Sequence, residues 1–472
     1  MRKRRLALVG VPAILTVVAL VAPAPAVVLP IFPGSERGRD ANQPTSQGRG
    51  RSLAFAKPVA LNSASPVRTL VGNSPAYGGS DHEWSGEPVI KVDSQGVVFI
   101  AGTCCIVASS PVWLSRDGRE FEEVETPAHA REWSIGAEGD LAIDDEDRVY
   151  FIDTYVPGLV LTRWSSDEAA PVWDYTVPAN AGIPPGSNDR PWLAWSKQGL
   201  YLYINHITHV AIYRSTDGGL TWIGSPPLSW DGSLARQQFW PGHIAADREN
   251  GTLYVSGRVG DGRTLGSAVS EDGGQTFRNS AILEVPKGRS LSQIFTGSTA
   301  VDKAGNAYVT WSLSDDSGKK PRSCDVYFAS TTNKGETWSK PVKVSRAPGC
   351  ATFPWISARG RGKVALTWYQ TPEVLPGTSA GASPQDAMPP EAEWFVHAAA
   401  VTEATGKSPK VKETRIKTET PVAKGPLGRQ LWDFLQVDIG PRGDIHITFA
   451  EKYEDDAPQT WYTRSLRSPK LR

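Results

Sequence analysis

The 472-residue chain balances 50 basic against 50 acidic residues and is 40% hydrophobic, so it can bury a sizeable core and carries no electrostatic bias toward nucleic acid. With 45 Gly, 37 Pro and 17 Trp against 2 Met, the composition favours tight turns and aromatic packing between sheets over helices, and an all-β fold is expected.

At the N-terminus, four basic residues precede an apolar run over 6–22 and the small residues Ala24 and Ala26. That order is a secretory signal peptide spanning 1–26; retention as a signal anchor is the alternative, because the run is near the shortest that spans a bilayer. Residues 27–51 lack apolar periodicity and read as a disordered linker, leaving 52–472 as the folded domain of an exported protein.

From there one pattern recurs: a short apolar strand, a turn with Asp or Gly, and a second strand rich in Val, Ile and Tyr. Examples are PVIKVDSQGVVFIAG, RPWLAWSKQGLYLYIN and GSTAVDKAGNAYVTW. The turn residues are Gly96, Asp147, Gly199, Gly251, Gly305, Gly362 and Gly443, at intervals of 51, 52, 52, 54, 57 and 81. A period near fifty with strands between turn signals is that of β-propeller blades, so an all-β, seven-bladed β-propeller is expected. The last repeat ends one strand short, and FAKPVALN (55–62) resembles the fourth strand WSKPVKVS (338–345). The N-terminal strand should therefore close the last blade and remove an open edge.

In the fifth repeat Cys324 begins the third strand and Cys350 follows the fourth, which predicts a disulfide between them and fits export. Cys104 and Cys105 are adjacent, and a vicinal disulfide, two thiols or another pairing are all open. The insertion 371–393, in the sixth repeat, reads equally as a lid over the ligand face or as a solvated loop.

Between third and fourth strands stand STDGGLTW (215–222) and SEDGGQTF (270–277). The Asp can accept backbone N–H bonds, the glycines permit positive φ, and the final aromatic can plug the space between sheets. These stretches resemble the Asp-box, or BNR, repeat S-x-D-x-G-x-T-W of secreted bacterial sialidase-like propellers, at Ser215, Asp217, Gly219, Thr221, Trp222 and at Ser270, Asp272, Gly274, Thr276, Phe277. SRDGREF (115–121), with Ser115 and Asp117, and STTNKGETW (330–338), with Ser330, Gly335 and Trp338, keep part of it; Arg119 replaces the second Gly and Asn333 the Asp. The resemblance implies that the boxes are structural and that ligands bind on the opposite face, around the axis.

The segments entering the first strand and leaving the second line that face. They supply Arg131, Trp192, His206, Arg236, Trp240, His243, Arg258, Arg429 and Trp432 as ligand-binding candidates, since aromatic platforms beside Arg suit a sugar ring or a carboxylated glycan. Wedging between blades and local ion pairing is the competing role for such residues. A sialidase clamps a carboxylate with arginines, attacks with a Tyr activated by Glu, and uses an Asp as acid/base. On that template Asp189, Arg190, Glu451 and Tyr453 are the catalytic candidates. The family's F/Y-R-I-P motif is absent, NDRPWLAW (188–195) being a different motif, and seven repeats depart from six blades, so a true exo-sialidase is not expected.

No Walker, zincin or G-x-S-x-G motif is present, and DDED (144–147) occupies the same hairpin turn as DSQG and DREN, which favours a solvated turn over calcium. His206, His209 and His243 lack partners at metal-ligand spacing, and neither metal nor cofactor is expected. The sequence thus points to a secreted, monomeric sialidase-superfamily propeller that recognises an extracellular carbohydrate or other polymer at its axial face, with hydrolysis open. A non-catalytic scaffold for protein partners is the alternative.

Overall fold

The computed structural model describes residues 52–61, 86–102, 110–124, 138–155, 158–165, 172–178, 182–184, 189–206, 208–232, 238–240, 242–291, 297–315, 323–374, 388–427, 431, 433–452 and 459–472. Among these, every regular element longer than a turn is a β-strand and none is an α-helix.

The third repeat shows how the sheets are made. Asp189–Ser196, Gly199–Asn205, Val210–Ser215 and Ile223–Gly224 pair antiparallel in chain order. Successive side chains of a strand point to opposite faces, and here both faces are apolar. Leu200, Leu202 and Ile204 enter one hydrophobic cluster, while Tyr201 and Tyr203 enter another. A sheet buried on both sides must stand between two neighbours.

Similar antiparallel groups begin at Val89–Val92, Gly139–Ile143 and Gly242–Ala246. Two further repeats, whose first strands are Thr299–Val301 and Cys350–Ala358, merge into one ten-stranded sheet through a single parallel pairing, Cys324 with Cys350. The expected disulfide joins those two residues, with Cα atoms 4.2 Å apart. The last group starts at Gln436–Ile439. Its edge strand Gln459–Arg467 pairs with Val59–Leu61, placing Val59 opposite Tyr462 and Leu61 opposite Thr460.

First strands touch first strands in chain order, from Val89–Val92 through Gly139–Ile143, Asp189–Ser196, Gly242–Ala246, Thr299–Val301, Cys350–Ala358 and Gln436–Ile439, and the last touches Val89–Val92 again. One hydrogen-bond pattern ties neighbours at a common level. Gln436 Oε1 accepts from Ile90 N at 3.0 Å, Asp140 Oδ2 from Leu193 N at 2.9 Å, His243 Nδ1 from Thr299 N at 3.2 Å, and Ser298 Oγ from Ile356 N at 2.8 Å. These strands therefore run the same way in equivalent register.

The turns after Ser215 and Ser270 share one network. Gly219 N and Gly274 N donate to the serine Oγ at 2.7 and 2.8 Å, and Thr221 N and Thr276 N donate to the Asp Oδ1 at 3.0 and 2.9 Å. A Cβ on Gly219, at φ +93°, would sit 2.0 Å from Leu161 Cδ2 of the preceding sheet. Trp222 is buried in the cluster that holds Ile152 and Leu161 of that sheet, which is why a polar turn ends in tryptophan. Phe277 and Trp338 are half-buried, and Trp338 Nε1 donates to Ser280 Oγ at 3.2 Å. In the fifth repeat the hydroxyl comes from Thr331 rather than Ser330: Gly335 N donates to Thr331 Oγ1 at 3.0 Å, while Ser330 Oγ donates to Ala404 O. The spacing back from Asn333 sets that register. Ser115 and Asp117 hold a shorter turn, with Gly118 N on Ser115 Oγ and Arg119 N on Asp117 Oδ1.

Candidate functional site

The register of Leu200 with Ser215 puts the box turns at the same end of the sheets as the first hairpins. At the other end, where first strands begin, charged residues gather. Glu87, Glu138 and Arg190 each stand nine residues before their turn residues Gly96, Asp147 and Gly199, and Phe353 stands nine before Gly362. Glu87, Arg190 and Phe353 each precede a proline and have φ of +45°, +55° and +51°. Left-handed backbone at a non-glycine residue costs on the order of 1–3 kcal/mol and collects where geometry matters more than stability. Here Glu87 and Arg190, from different sheets, each act on the other's charge.

Arg190 is the hub. Its Nη2 donates to Asp433 Oδ2 in a buried ion pair, and its backbone N donates to Glu138 Oε2. Asp433 N in turn donates to Glu87 Oε1 at 3.2 Å. Asp189 Oδ2 accepts from Asn205 Nδ2 at 2.8 Å and from Trp240 Nε1 at 3.1 Å, so the half-buried indole is held against the cluster. The charges of Asp433, Glu138, Glu87 and Asp189 all act on this one guanidinium.

Burial dominates the protonation chemistry. It pushes the Glu138 carboxyl up to about 8, helped by the charge of Asp189 and a hydrogen bond shared with it and opposed by Arg190. Glu87 is also raised well above the usual carboxylate range, by burial first and then by the neighbouring Glu138 and Asp433. For Arg190 burial works against the charge, but Asp433, Glu138, Glu87 and Asp189 outweigh it and hold the guanidinium above its ordinary value. Asp153 lies at the same end of the second repeat and is raised to about 7 by burial, against hydrogen bonds from Ser110.

Below the cluster the centre is aromatic. The Trp192 ring lies 4.9 Å from Phe434, 5.4 Å from Trp355 and 5.5 Å from His243. Trp192 is 1% exposed, so it is a floor and not a stacking platform. His243 is buried too, and burial, with Lys91 as a lesser cause, lowers it to about 3.

Of the sequence candidates, Asp189, Arg190 and Trp240 are brought together, with Trp192 and His243 beneath them. Glu451 accepts a hydrogen bond from Thr420 Oγ1 at 3.1 Å and makes no bond to the Arg190 network. His206 bonds the Tyr213 hydroxyl at 2.7 Å, its pKa lowered to about 4 by burial and by His209. Arg258 is half-buried with no hydrogen bond or ion pair among the described residues, and burial lowers its pKa. Arg131, Arg236, Arg429, Trp432, Tyr453, Cys104 and Cys105 lie outside the described residues. Glu87, Glu138 and Asp433 were not singled out from sequence, although the nine-residue spacing to the turn would have marked the first two.

No family model matches the chain, and no curated relative matches it either. Solved structures are similar over most of its length. A protein of unknown function from Dyadobacter fermentans is 12% identical, covering 89% of this chain and 100% of that one at a TM-score of 0.46. The polysaccharide lyase Uly1 is 12% identical over 88% and 97% at 0.47, and the α-L-arabinanase of Penicillium chrysogenum complexed with arabinobiose 11% over 87% and 97% at 0.40. Likenesses this distant carry no argument for this chain, whose fold and chemistry rest on its own strands and side chains.

Proposed function

We propose that the chain is a secreted seven-bladed β-propeller of the Asp-box, sialidase-like class that recognises an uncharged extracellular glycan at the mouth formed by Glu87, Glu138, Asp189, Arg190 and Asp433. The return of first-strand contacts from Gln436–Ile439 to Val89–Val92 supports the ring, and the pairing of Val59–Leu61 supports its closure by the N-terminal strand. The Cys324–Cys350 disulfide supports an oxidising compartment.

The observation that carries the ligand class is the state of Arg190. A guanidinium buried against Asp433, with Glu138, Glu87 and Asp189 also acting on its charge, already has its counter-charge inside the protein, and a ligand carboxylate would have to compete with Asp433 for it. With the Arg190 charge countered by Asp433, the cluster offers no positive charge to attract a sialic or uronic acid. A neutral, hydroxyl-rich sugar instead meets Trp240 as a stacking face, with Asp189 and Asn205 as hydrogen-bonding neighbours. A glycan array probed with the full-length protein should light up neutral glycans and stay dark on sialosides, and Trp240→Ala should weaken binding by roughly tenfold. Equal binding of sialosides, or an unchanged Trp240→Ala, removes this reading.

Hydrolysis is the second reading, favoured by Glu138 alone: a carboxyl raised to about 8 stays protonated near neutrality and can donate a proton to a leaving oxygen. Its hydrogen bond to Asp189 is shorter than the roughly 5 Å or more between the two carboxyls of a glycosidase, so the second carboxyl would have to be another residue, Glu87 being the nearest in kind. Turnover of fluorogenic neutral glycosides that disappears in Glu138→Gln would establish it.

A further inference from the structure

The end of the sheets that carries the first hairpins and the box turns, away from the Arg190 cluster, is unevenly charged. In the sixth and last repeats its segments 359–363, 402–410, 440–444 and 467–472 hold nine basic residues against two acidic ones. In the second to fourth repeats the segments 144–148, 196–199, 215–222, 247–251 and 270–277 hold three basic residues against nine acidic ones. A chain that is neutral overall therefore presents one strongly basic half at this end.

Direct contacts draw the basic segments together. Ala404 N donates to Gly362 O at 2.9 Å, Gly360 N to Leu471 O at 3.0 Å, Lys363 Nζ to Arg472 O at 3.0 Å and Ser468 Oγ to Gly443 O at 3.2 Å. Leu471 is buried, which pins the last segment against the hairpin turns of Gly360 and Gly443 and holds the exposed Lys470 beside the exposed Arg361 and Arg442. The two acids are occupied: Glu403 pairs with Lys410, and Asp444 Oδ2 lies 2.8 Å from His446 Nε2 and 4.0 Å from Arg442. Arg361, Lys407, Arg467 and Lys470 are exposed and make no ion pair among the described residues.

Two further features coincide with this half. Ala54 pairs opposite Arg467, so the chain enters the sheets here, and in sequence the apolar run 6–22 precedes that point. Leu466, the neighbour of Arg467, is 64% exposed. Clustered cations are drawn to anionic headgroups over about a Debye length, and an apolar contact beside them adds a second, salt-independent hold. We infer that the basic half docks on an anionic lipid surface, with Arg361, Lys407, Arg442, Arg467 and Lys470 at the headgroups and Leu466 at the interface. The acidic turns of the second to fourth repeats stay off the lipid, and the Arg190 cluster, at the other end of the sheets, faces away from it. This docking does not depend on the glycan reading, since no sugar enters its test.

The test is co-sedimentation of the full-length protein with vesicles of phosphatidylcholine alone and with vesicles in which about one lipid in three is phosphatidylglycerol. Binding should be stronger to the anionic vesicles, and the excess should disappear as salt is raised to about 0.5 M. The stretch before Ser52 carries basic and apolar residues of its own, so the deciding comparison is between two double variants with the same change in net charge. Arg361→Glu with Lys470→Glu should cut the excess at least tenfold. Lys197→Glu with Lys287→Glu, in the third and fourth repeats, should leave it within about twofold. All four positions are exposed, and melting temperatures equal to that of the parent confirm that each variant is folded. An equal fall in both double variants shows that net charge and not this face is read, and overturns the proposal. No preference for anionic vesicles overturns it too, even where soluble polyphosphate binds.

Discussion

Glu138 and Asp272 are carboxyl groups at opposite ends of the sheets, and the protein treats them in opposite ways. Glu138 faces other carboxyls inside the cluster, where burial raises it to about 8. For Asp272 burial is the largest single influence and acts upward, but the hydroxyl and N–H of Thr276, the hydroxyl of Ser270 and the N–H of Gln275 together outweigh it and draw the carboxyl down to about 2. The turn end surrounds its acids with donors and is built to be stable. The Arg190 end crowds acids together beside left-handed backbone at Glu87 and Arg190, and that is the arrangement in which carboxyl groups become chemically distinct.

The comparison is broken most severely at its hub. Arg190→Met leaves Asp433 buried without its ion pair and removes the charge that offsets Glu87 and Glu138. Breaking a buried pair from one side costs on the order of 3–5 kcal/mol. The denaturation midpoint should fall accordingly, whereas a variant that unfolds like the parent would mean that the acids at the mouth do not depend on the guanidinium.

The pH dependence sharpens the contrast. A carboxyl whose folded pKa is raised binds its proton more tightly when folded, so its contribution is whole below the unfolded value near 4.5 and is lost as pH rises toward about 8. Glu87, and Asp153 at about 7, act in the same sense. The melting temperature should therefore decline by several degrees between pH 5 and pH 8.5, and Glu138→Gln, neutral throughout, should flatten that decline. A Glu138→Gln profile that keeps the full slope assigns the effect elsewhere.

How much of this was legible depended on whether a feature is local. Cys324 and Cys350 bracket one hairpin, and the turn residues repeat at nearly constant intervals, so the pairing and the strand order could be read from spacing. The box turns were legible because each is a few consecutive residues, and the single slip, Ser330 for Thr331, came from aligning two adjacent hydroxyl residues by one position. The cluster was only half legible. Asp189 and Arg190 stood out as a charged pair before an apolar strand, but Glu87, Glu138 and Asp433 look like ordinary loop acids until sheets 346 residues apart in sequence, as in the bond from Asp433 N to Glu87, are brought side by side. Trp192 misled for the same reason: an aromatic at the start of a strand is platform or core according to what the other sheets place above it.

The smallest effect tests the turn end, and the chain already contains its control. Asn333 occupies the Asp position of the fifth repeat, where its Oδ1 accepts from Thr337 N at 3.1 Å and its Nδ2 donates to Thr337 Oγ1 at 3.0 Å. An amide can thus hold this turn. Asp272→Asn should cost no more than about 1 kcal/mol at neutral pH, because the backbone acceptor survives and the group is exposed. Asp272→Ala should cost more, about 1–2 kcal/mol, since the N–H groups of Gln275 and Thr276 lose their partner. The sign in acid follows from the depressed pKa: stability held above the unfolded value near 3.8 is lost as pH falls through about 2, so the parent should lose a small increment over that range that Asp272→Asn does not. Denaturant titrations at pH 7 and pH 2.5 decide it. If Asn and Ala variants are equally destabilised at pH 7, the carboxylate charge rather than the acceptor geometry holds the turn, and the two ends of the sheets differ less than their protonation suggests.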